Sequence, residues 1–257
     1  MPFLHGSPPR VIAHRGFPLD VPENTLAAFQ AALDAGADIL ETDIHLSKDG
    51  QVIISHDPDL SRLVGIAGKV SDYTQAELAS MDLGGGHGFP TLVDALEQFP
   101  DERFNVDLKE PAVVDAFVDV ITQMKAHDRV LIASFEESHR AKAAQALPGV
   151  VSSATPPHII EGRVRSWVGL PTDSWRLPDG MVALQIPVSR YGFAMVTPSM
   201  IRAAHKKGLE VHVWTINEAK DMARLWEMGV DGIITDRTDI AVEVRASLIS
   251  PEARQEL

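Results

Sequence analysis

Short apolar runs that stop abruptly at polar residues alternate with stretches whose apolar residues recur every three or four positions, and this alternation repeats along most of the chain. Val11 to Ala13, the polar-alternating run around Leu40 to His45, Arg103 to Leu108, Val130 to Ser134, Val150 to Ser153, Met181 to Ile186, Leu209 to Thr215 and Asp231 to Thr235 read as strands. Between them, Leu26, Phe29 and Leu33 recur at helical spacing behind a capping Asn24 or Thr25, with Gly36 placed to end the helix. Thr91 to Gln98, a helix opened by Pro111 with Val114, Phe117, Val118 and Ile121 on one face, a helix ending at Leu147, Pro198 to Lys207, Glu218 to Met228 and a C-terminal segment follow the same rule. Eight strand-helix units in order favour a parallel sheet, and eight in this length favour its closure into a (β/α)8 TIM barrel.

Two stretches break the rhythm. Gln51 to Ser55 reads as a strand returning from a turn at Lys48-Asp49-Gly50, after which residues 58–90 form a polar, glycine-containing excursion with one short helix near Gln75 to Ser80. The expectation is one barrel domain over residues 1–257 with an inserted segment at 58–90 after the second strand, lying over the active face. Residues 155–179 are interrupted by Pro156, Pro157, Pro171 and Pro178 and resist assignment to any long element.

Composition narrows the partners. A length of 257 residues, 45% apolar and 23% charged, is that of a globular chain able to bury a large core. The formal charge of −13 argues against nucleic acid and anionic membranes, so the positive contacts for any anionic ligand must be local. Without cysteine, a metal would be held by oxygen or imidazole. The opening MPFLHGSPPR has no apolar core of a secretion signal, and no run is long enough to span a bilayer, so a cytoplasmic protein without stable membrane insertion is expected.

The polar residues that end the apolar runs carry the chemistry. VIAHRG places His14, a candidate acid or base, beside Arg15, a candidate anion clamp; in isolation the pair reads equally as a capping histidine beside a surface arginine. Glu41, Asp43 and His45 share one strand face, and two carboxylates ~7 Å apart along a strand can converge on one cation, or else form a solvated, salt-bridged face. The returning strand ends in His56, a second histidine able to act across a substrate from His14. Asp107 and Lys109 share parity at another strand end, as a third metal carboxylate beside an anion-binding lysine or as a local ion pair. Trp214 ends the seventh strand as an apolar wall or as core.

Seven strings in order, HRG, PENT, GADILETDIHLSKDG, ISHD, NVDLKE, VWTIN and DGIITD, resemble the glycerophosphodiester phosphodiesterase family over residues of about 10 to 240. The resemblance implies a (β/α)8 barrel with a small insertion and hydrolysis of small glycerophosphodiesters to sn-glycerol 3-phosphate and an alcohol. It implies His14 and His56 as the acid-base pair, with which of the two protonates the leaving group left open, Arg15 and Lys109 on the phosphate, and a divalent cation, Mg2+ or Ca2+, at Glu41, Asp43 and Asp107. At the last of these positions the family often has glutamate, so the side chain here is shorter by a methylene. Alternatives are a lysophospholipase D-like or sphingomyelinase D-like enzyme, which needs an apolar approach for the acyl chain and for which no amphipathic basic membrane segment is evident, and a noncatalytic phosphate-binding barrel. The head group and the oligomeric state are left open.

Overall fold

A computed structural model describes residues 3–249. Its eight parallel strands are β1 (Arg10–His14), β2 (Ile39–Leu46), β3 (Phe104–Leu108), β4 (Val130–Ala133), β5 (Val151–Ser153), β6 (Met181–Pro187), β7 (Glu210–Trp214) and β8 (Gly232–Thr235). Each pairs with the next, and β1 pairs with both β2 and β8, so the sheet closes on itself as a barrel. Ile12, Ile39, Leu131, Ala133, Val151, Ala183 and Ile234 fill its interior, and the helices pack outside on two larger apolar clusters. Alternation puts odd-numbered residues of β2 and β3 inside, which is how Glu41, Asp43 and Asp107 come to face the barrel axis.

Helix boundaries follow local chemistry. Thr25, not Asn24, caps the helix Leu26–Asp34 by accepting from Ala28 N at 3.1 Å. Asn24 has φ +57° and is turned toward the carboxylates instead. The stretch that resisted assignment contains a 13-residue helix, Pro156–Val168. Its two prolines fall in the first turn, where a missing N–H costs nothing, and so begin the helix rather than break it. Gly162 lets buried Trp175 pack against it: a Cβ there would lie 2.3 Å from the indole.

Val52–Ile54 pairs antiparallel with the end of β2. Residues 58–90 then form the short helices Ser61–Val64 and Gln75–Ser80 over a satellite core of Ile53, Leu60, Val70, Leu78 and Phe89. Gly84 and Gly86 are turn residues whose N–H groups both donate to Asp82 Oδ1. No helix among the described residues is long and apolar enough to cross a membrane.

Candidate active site

At the C-terminal ends of the strands lies a cavity of about 490 Å³ whose lining includes His14, Arg15, Glu41, Asp43, His56, Asp107, Lys109 and Trp214. Every site residue expected from the sequence therefore meets in one place. Residues 58–90, expected to lie over this face, contribute none of the lining among the described residues; they hold their own small core beside β2.

The HRG turn is a tight backbone device. Arg15 adopts φ +58°, its N–H donating to the Glu41 carbonyl at 3.0 Å, and Gly16 follows at φ +84°. A Cβ on Gly16 would stand 2.6 Å from the Ala28 backbone, so only glycine lets the first helix approach. Such positive φ in a non-glycine residue persists where its surroundings enforce it, as they do here.

Both histidines are anchored through Nδ1. His14 Nδ1 lies 2.6 Å from Asp236 Oδ1, and Asn217 Nδ2 donates to the other Asp236 oxygen at 2.8 Å. His56 Nδ1 lies 2.6 Å from Asp57 Oδ1, whose partner oxygen accepts from Arg62. Buried His45 donates from Nε2 to the His56 carbonyl at 3.2 Å and fixes the backbone of that loop. With Nδ1 committed in each ring, Nε2 is the nitrogen available to the cavity. Burial pulls the His14 pKa down, but the bond to Asp236 and the charge of Glu41 outweigh it and the net shift is upward.

The carboxylates are crowded. In register, Asp43 faces Asp107 across β2 and β3, and His14 faces Glu41 across β1 and β2. Burial, reinforced by the charge of Asp43, pushes Glu41 well above the ordinary glutamate range. Burial also raises Asp107, whereas for Asp43 the pull of Lys109 overcomes burial and the shift is downward.

Lys109 is held between two carboxylates. Its Nζ lies 2.7 Å from Asp43 Oδ1 and 2.7 Å from Asp107 Oδ2, the local ion pair that the sequence left as the other possibility. Arg15 likewise pairs with Glu23 at 3.0 Å and stands 3.6 Å from Asp43. Both side chains sit among the carboxylates of the cavity.

Among the described residues, no three His, Asp or Glu side chains already stand as a metal cage, since the Lys109 ammonium lies between two of the carboxylates. The donor set nevertheless fits a hard divalent cation: it is all oxygen, two of its three carboxylates share the Lys109 ammonium, and the buried Asp107 Oδ1 has no hydrogen-bond partner among the described residues.

Sequence reasoning missed the supports. Asp236 and Asn217 end the quoted DGIITD and VWTIN strings, and Asp57 directly follows His56; a polar residue just past a strand end was the available signal. Asn24, read as a helix cap, donates to Asp43 at 3.3 Å and accepts from Thr42 at 2.7 Å. Trp214 packs edge-on against Phe135 with ring centroids 6.0 Å apart, and the Phe135 ring in turn lies 5.8 Å from Lys109 Nζ, so this apolar pair borders the charged groups.

Comparison with known proteins identifies the family and the fold. Residues 14–240 match the model of the Glycerophosphoryl diester phosphodiesterase family. The chain is 37% identical over 235 residues to a probable glycerophosphodiester phosphodiesterase 2 of Mycobacterium tuberculosis, covering 91% of this chain and 89% of that one. It is 31% identical over 248 residues to a glycerophosphodiester phosphodiesterase of Caldanaerobacter subterraneus subsp. tengcongensis, covering 91% and 96%. Among solved structures, an Oleispira antarctica phosphodiesterase in complex with the product sn-glycerol-3-phosphate superposes with a TM-score of 0.76 at 26% identity, over 93% of this chain and 97% of that one.

Proposed function

The chain belongs to the glycerophosphoryl diester phosphodiesterase family, and from that membership we propose that it hydrolyses glycerophosphodiesters to sn-glycerol 3-phosphate and an alcohol by two-histidine acid-base catalysis assisted by a divalent cation. The observation that carries this reading is the pair of histidines, each anchored through Nδ1 to its own carboxylate, on one cavity that also holds Arg15 and Lys109.

Glu41, Asp43 and Asp107 would hold the cation, Mg2+ or Ca2+. When bound, it supplies charge neutralisation and Lewis-acid polarisation at a phosphoryl oxygen. The short Asp107 reaches less far than a glutamate would, which hard cations tolerate by keeping water ligands. Arg15 and Lys109 exchange carboxylate partners for the nonbridging oxygens of the diester and hold the phosphorus between the two rings. Lys109 keeps its charge throughout: burial works against it, but Asp43 and Asp107 raise its pKa.

His14 holds its proton on Nε2 because Asp236 stabilises the imidazolium, and it delivers that proton to the departing alkoxide. His56, oriented by Asp57, accepts the proton of the attacking hydroxyl, whether from water or from the glycerol 2-position. Trp214 and Phe135 give the site an apolar border beside Lys109.

The test is a panel of chelated protein with Mg2+, Ca2+ or no metal added back, assayed for glycerol 3-phosphate release from several glycerophosphodiesters. Activity lost on chelation and restored by either ion is expected. Full turnover in thoroughly stripped protein would remove the cation from the mechanism.

A further inference from the structure

The cavity has two unlike halves. The charged groups lie on the β1 to β3 side, with the Phe135 ring at their border 5.8 Å from Lys109 Nζ, while Ile159, Ile160, Phe193, Met195 and Trp214 line the other half, and no carboxylate lines that half. At about 490 Å³ the whole falls in the ~300–1,000 Å³ range of pockets for drug-sized molecules, more than a glycerol phosphate requires.

The apolar half continues outward. On the helix Pro156–Val168, Ile159 turns into the core, but Ile160, Val164, Trp167 and Val168 are all exposed, Trp167 by 76%. Their spacing of four, three and one places them on one side of the helix, with Ile160 at the cavity mouth and the stripe running away from it. Across the mouth a two-stranded ribbon, Ser189–Arg190 with Phe193–Ala194, carries Tyr191 and Phe193, exposed by 85% and 73%. Arg163 Nε donates to the Ala194 carbonyl at 2.8 Å and ties helix and ribbon into one wall. Solvent-exposed aliphatic and aromatic groups contiguous with a catalytic cavity mark a place where apolar ligand surface is buried. A cationic head group is the poorer fit, because the charged side chain on this half is Arg190.

We propose that this half is a subsite for an alkyl chain carried by the phosphodiester substrate, a reading that rests on the glycerophosphodiester hydrolysis proposed above. The chain lies along Ile160 and Phe193 between helix and ribbon, while the phosphate meets Arg15 and Lys109. One side of this subsite comes from residues 155–179, the stretch that resisted assignment in the sequence, and the other from the ribbon.

Binding tests the subsite independently of turnover. Calorimetric titration with ethyl, butyl and octyl phosphate, all below micelle-forming concentration, should show Kd falling by up to about fourfold per methylene, the equivalent of burying each one. Ile160→Ser and Phe193→Ser should flatten that dependence, whereas Ile66→Ser, at an exposed apolar residue outside the cavity, should retain it. A Kd indifferent to chain length, or a dependence that survives both cavity substitutions, overturns the proposal even in an active enzyme. Conversely, a preserved dependence in protein that hydrolyses no diester defeats the proposed function and leaves the subsite standing. Turnover of glycerophospho-n-alkanols against lysophosphatidylcholines of matched length then shows whether the chain rides on the departing alcohol or on the glycerol. A kcat/KM rising with length in either series supports the subsite; flat profiles in both, or a preference for glycerophosphocholine over both, contradict it.

Discussion

Two glutamates inside the same barrel, both partly or wholly withdrawn from water, are driven in opposite directions. At the N-terminal end, Glu210 at the start of β7 is lowered to about 2, because the hydrogen bonds from His212 and Arg10 overcome its burial. Both its oxygens accept from Arg10 at 2.8 Å. Its neighbours are matched in the same way: Asp38 pairs with Arg245 and accepts from Val11 N, and Asp231 pairs with His205 and accepts from Val211 N. At the C-terminal end, Glu41 is driven up by burial and by Asp43. At one end these carboxylates are each matched by a basic side chain, whereas the other crowds Glu41, Asp43 and Asp107 around Lys109 and Arg15 and leaves Asp107 Oδ1 unpartnered among the described residues. Perturbed groups that the fold itself does not compensate are the mark of a site for ligand chemistry.

The comparison can be broken most sharply at the histidines. His14→Ala and His56→Ala should each lower turnover by at least ~10²-fold, the lower edge of acid-base effects, with melting temperatures close to that of the parent. Rates near the parent in either variant remove that ring from the mechanism.

A smaller effect is expected one step back. Asp236→Asn should cost about 10- to 100-fold in kcat/KM, as loss of a partner that orients a functional histidine does. It should also move the alkaline limb of the pH profile to lower pH, because Asp236 raises the His14 pKa and without it the protonated acid is lost earlier. An unmoved alkaline limb would mean that His14 does not donate the proton.

The N-terminal end should answer through stability instead. Glu210→Gln leaves buried Arg10 uncompensated, a change of the kind that costs about 3–5 kcal/mol for a fully buried pair and less at this partly open one. The fold should therefore melt several degrees lower, with kcat unchanged. The sign of its pH dependence is fixed. A carboxyl depressed in the folded state stabilises fully above its unfolded value, near 4.5, and that contribution disappears as pH falls toward 2. The gap in melting temperature between parent and variant should thus be widest above pH 5 and shrink below it; a constant gap would refute the assignment.

Glu41→Gln should do the reverse. Removing a carboxylate raised by burial and repulsion relieves the fold, so in chelator the variant should melt about 2 °C higher at neutral pH while losing activity. A lower melting temperature would show that Glu41 is a structural carboxylate like Glu210.

Much of this was legible in the chain because a barrel site is built where apolar runs end. His14, Glu41, Asp43, His56, Asp107 and Lys109 all follow or interrupt such runs, and one fold brings those ends together. The supports were harder to read. His14 and Asp236 are 222 positions apart, and nothing local says that the first and last strands are neighbours until the barrel is closed. Asn24 carried a helix-cap pattern, but its positive φ turns it to Asp43 and leaves capping to Thr25. The helix Pro156–Val168 was hidden by its own prolines, which are compatible with a first turn but resemble a break, and the apolar wall was hidden with it. For Lys109 the pattern allowed either an anion contact or an ion pair, and only the register of Asp43 against Asp107 places both carboxylates within its reach.

Phosphorus NMR of glycerophosphocholine incubated with the protein and Mg2+ or Ca2+ tests the central claim most directly. The account predicts conversion to glycerol 3-phosphate, with the phosphate retained on glycerol because the departing alcohol takes the proton from His14. An unchanged diester, or phosphocholine as the phosphorus-containing product, would contradict it.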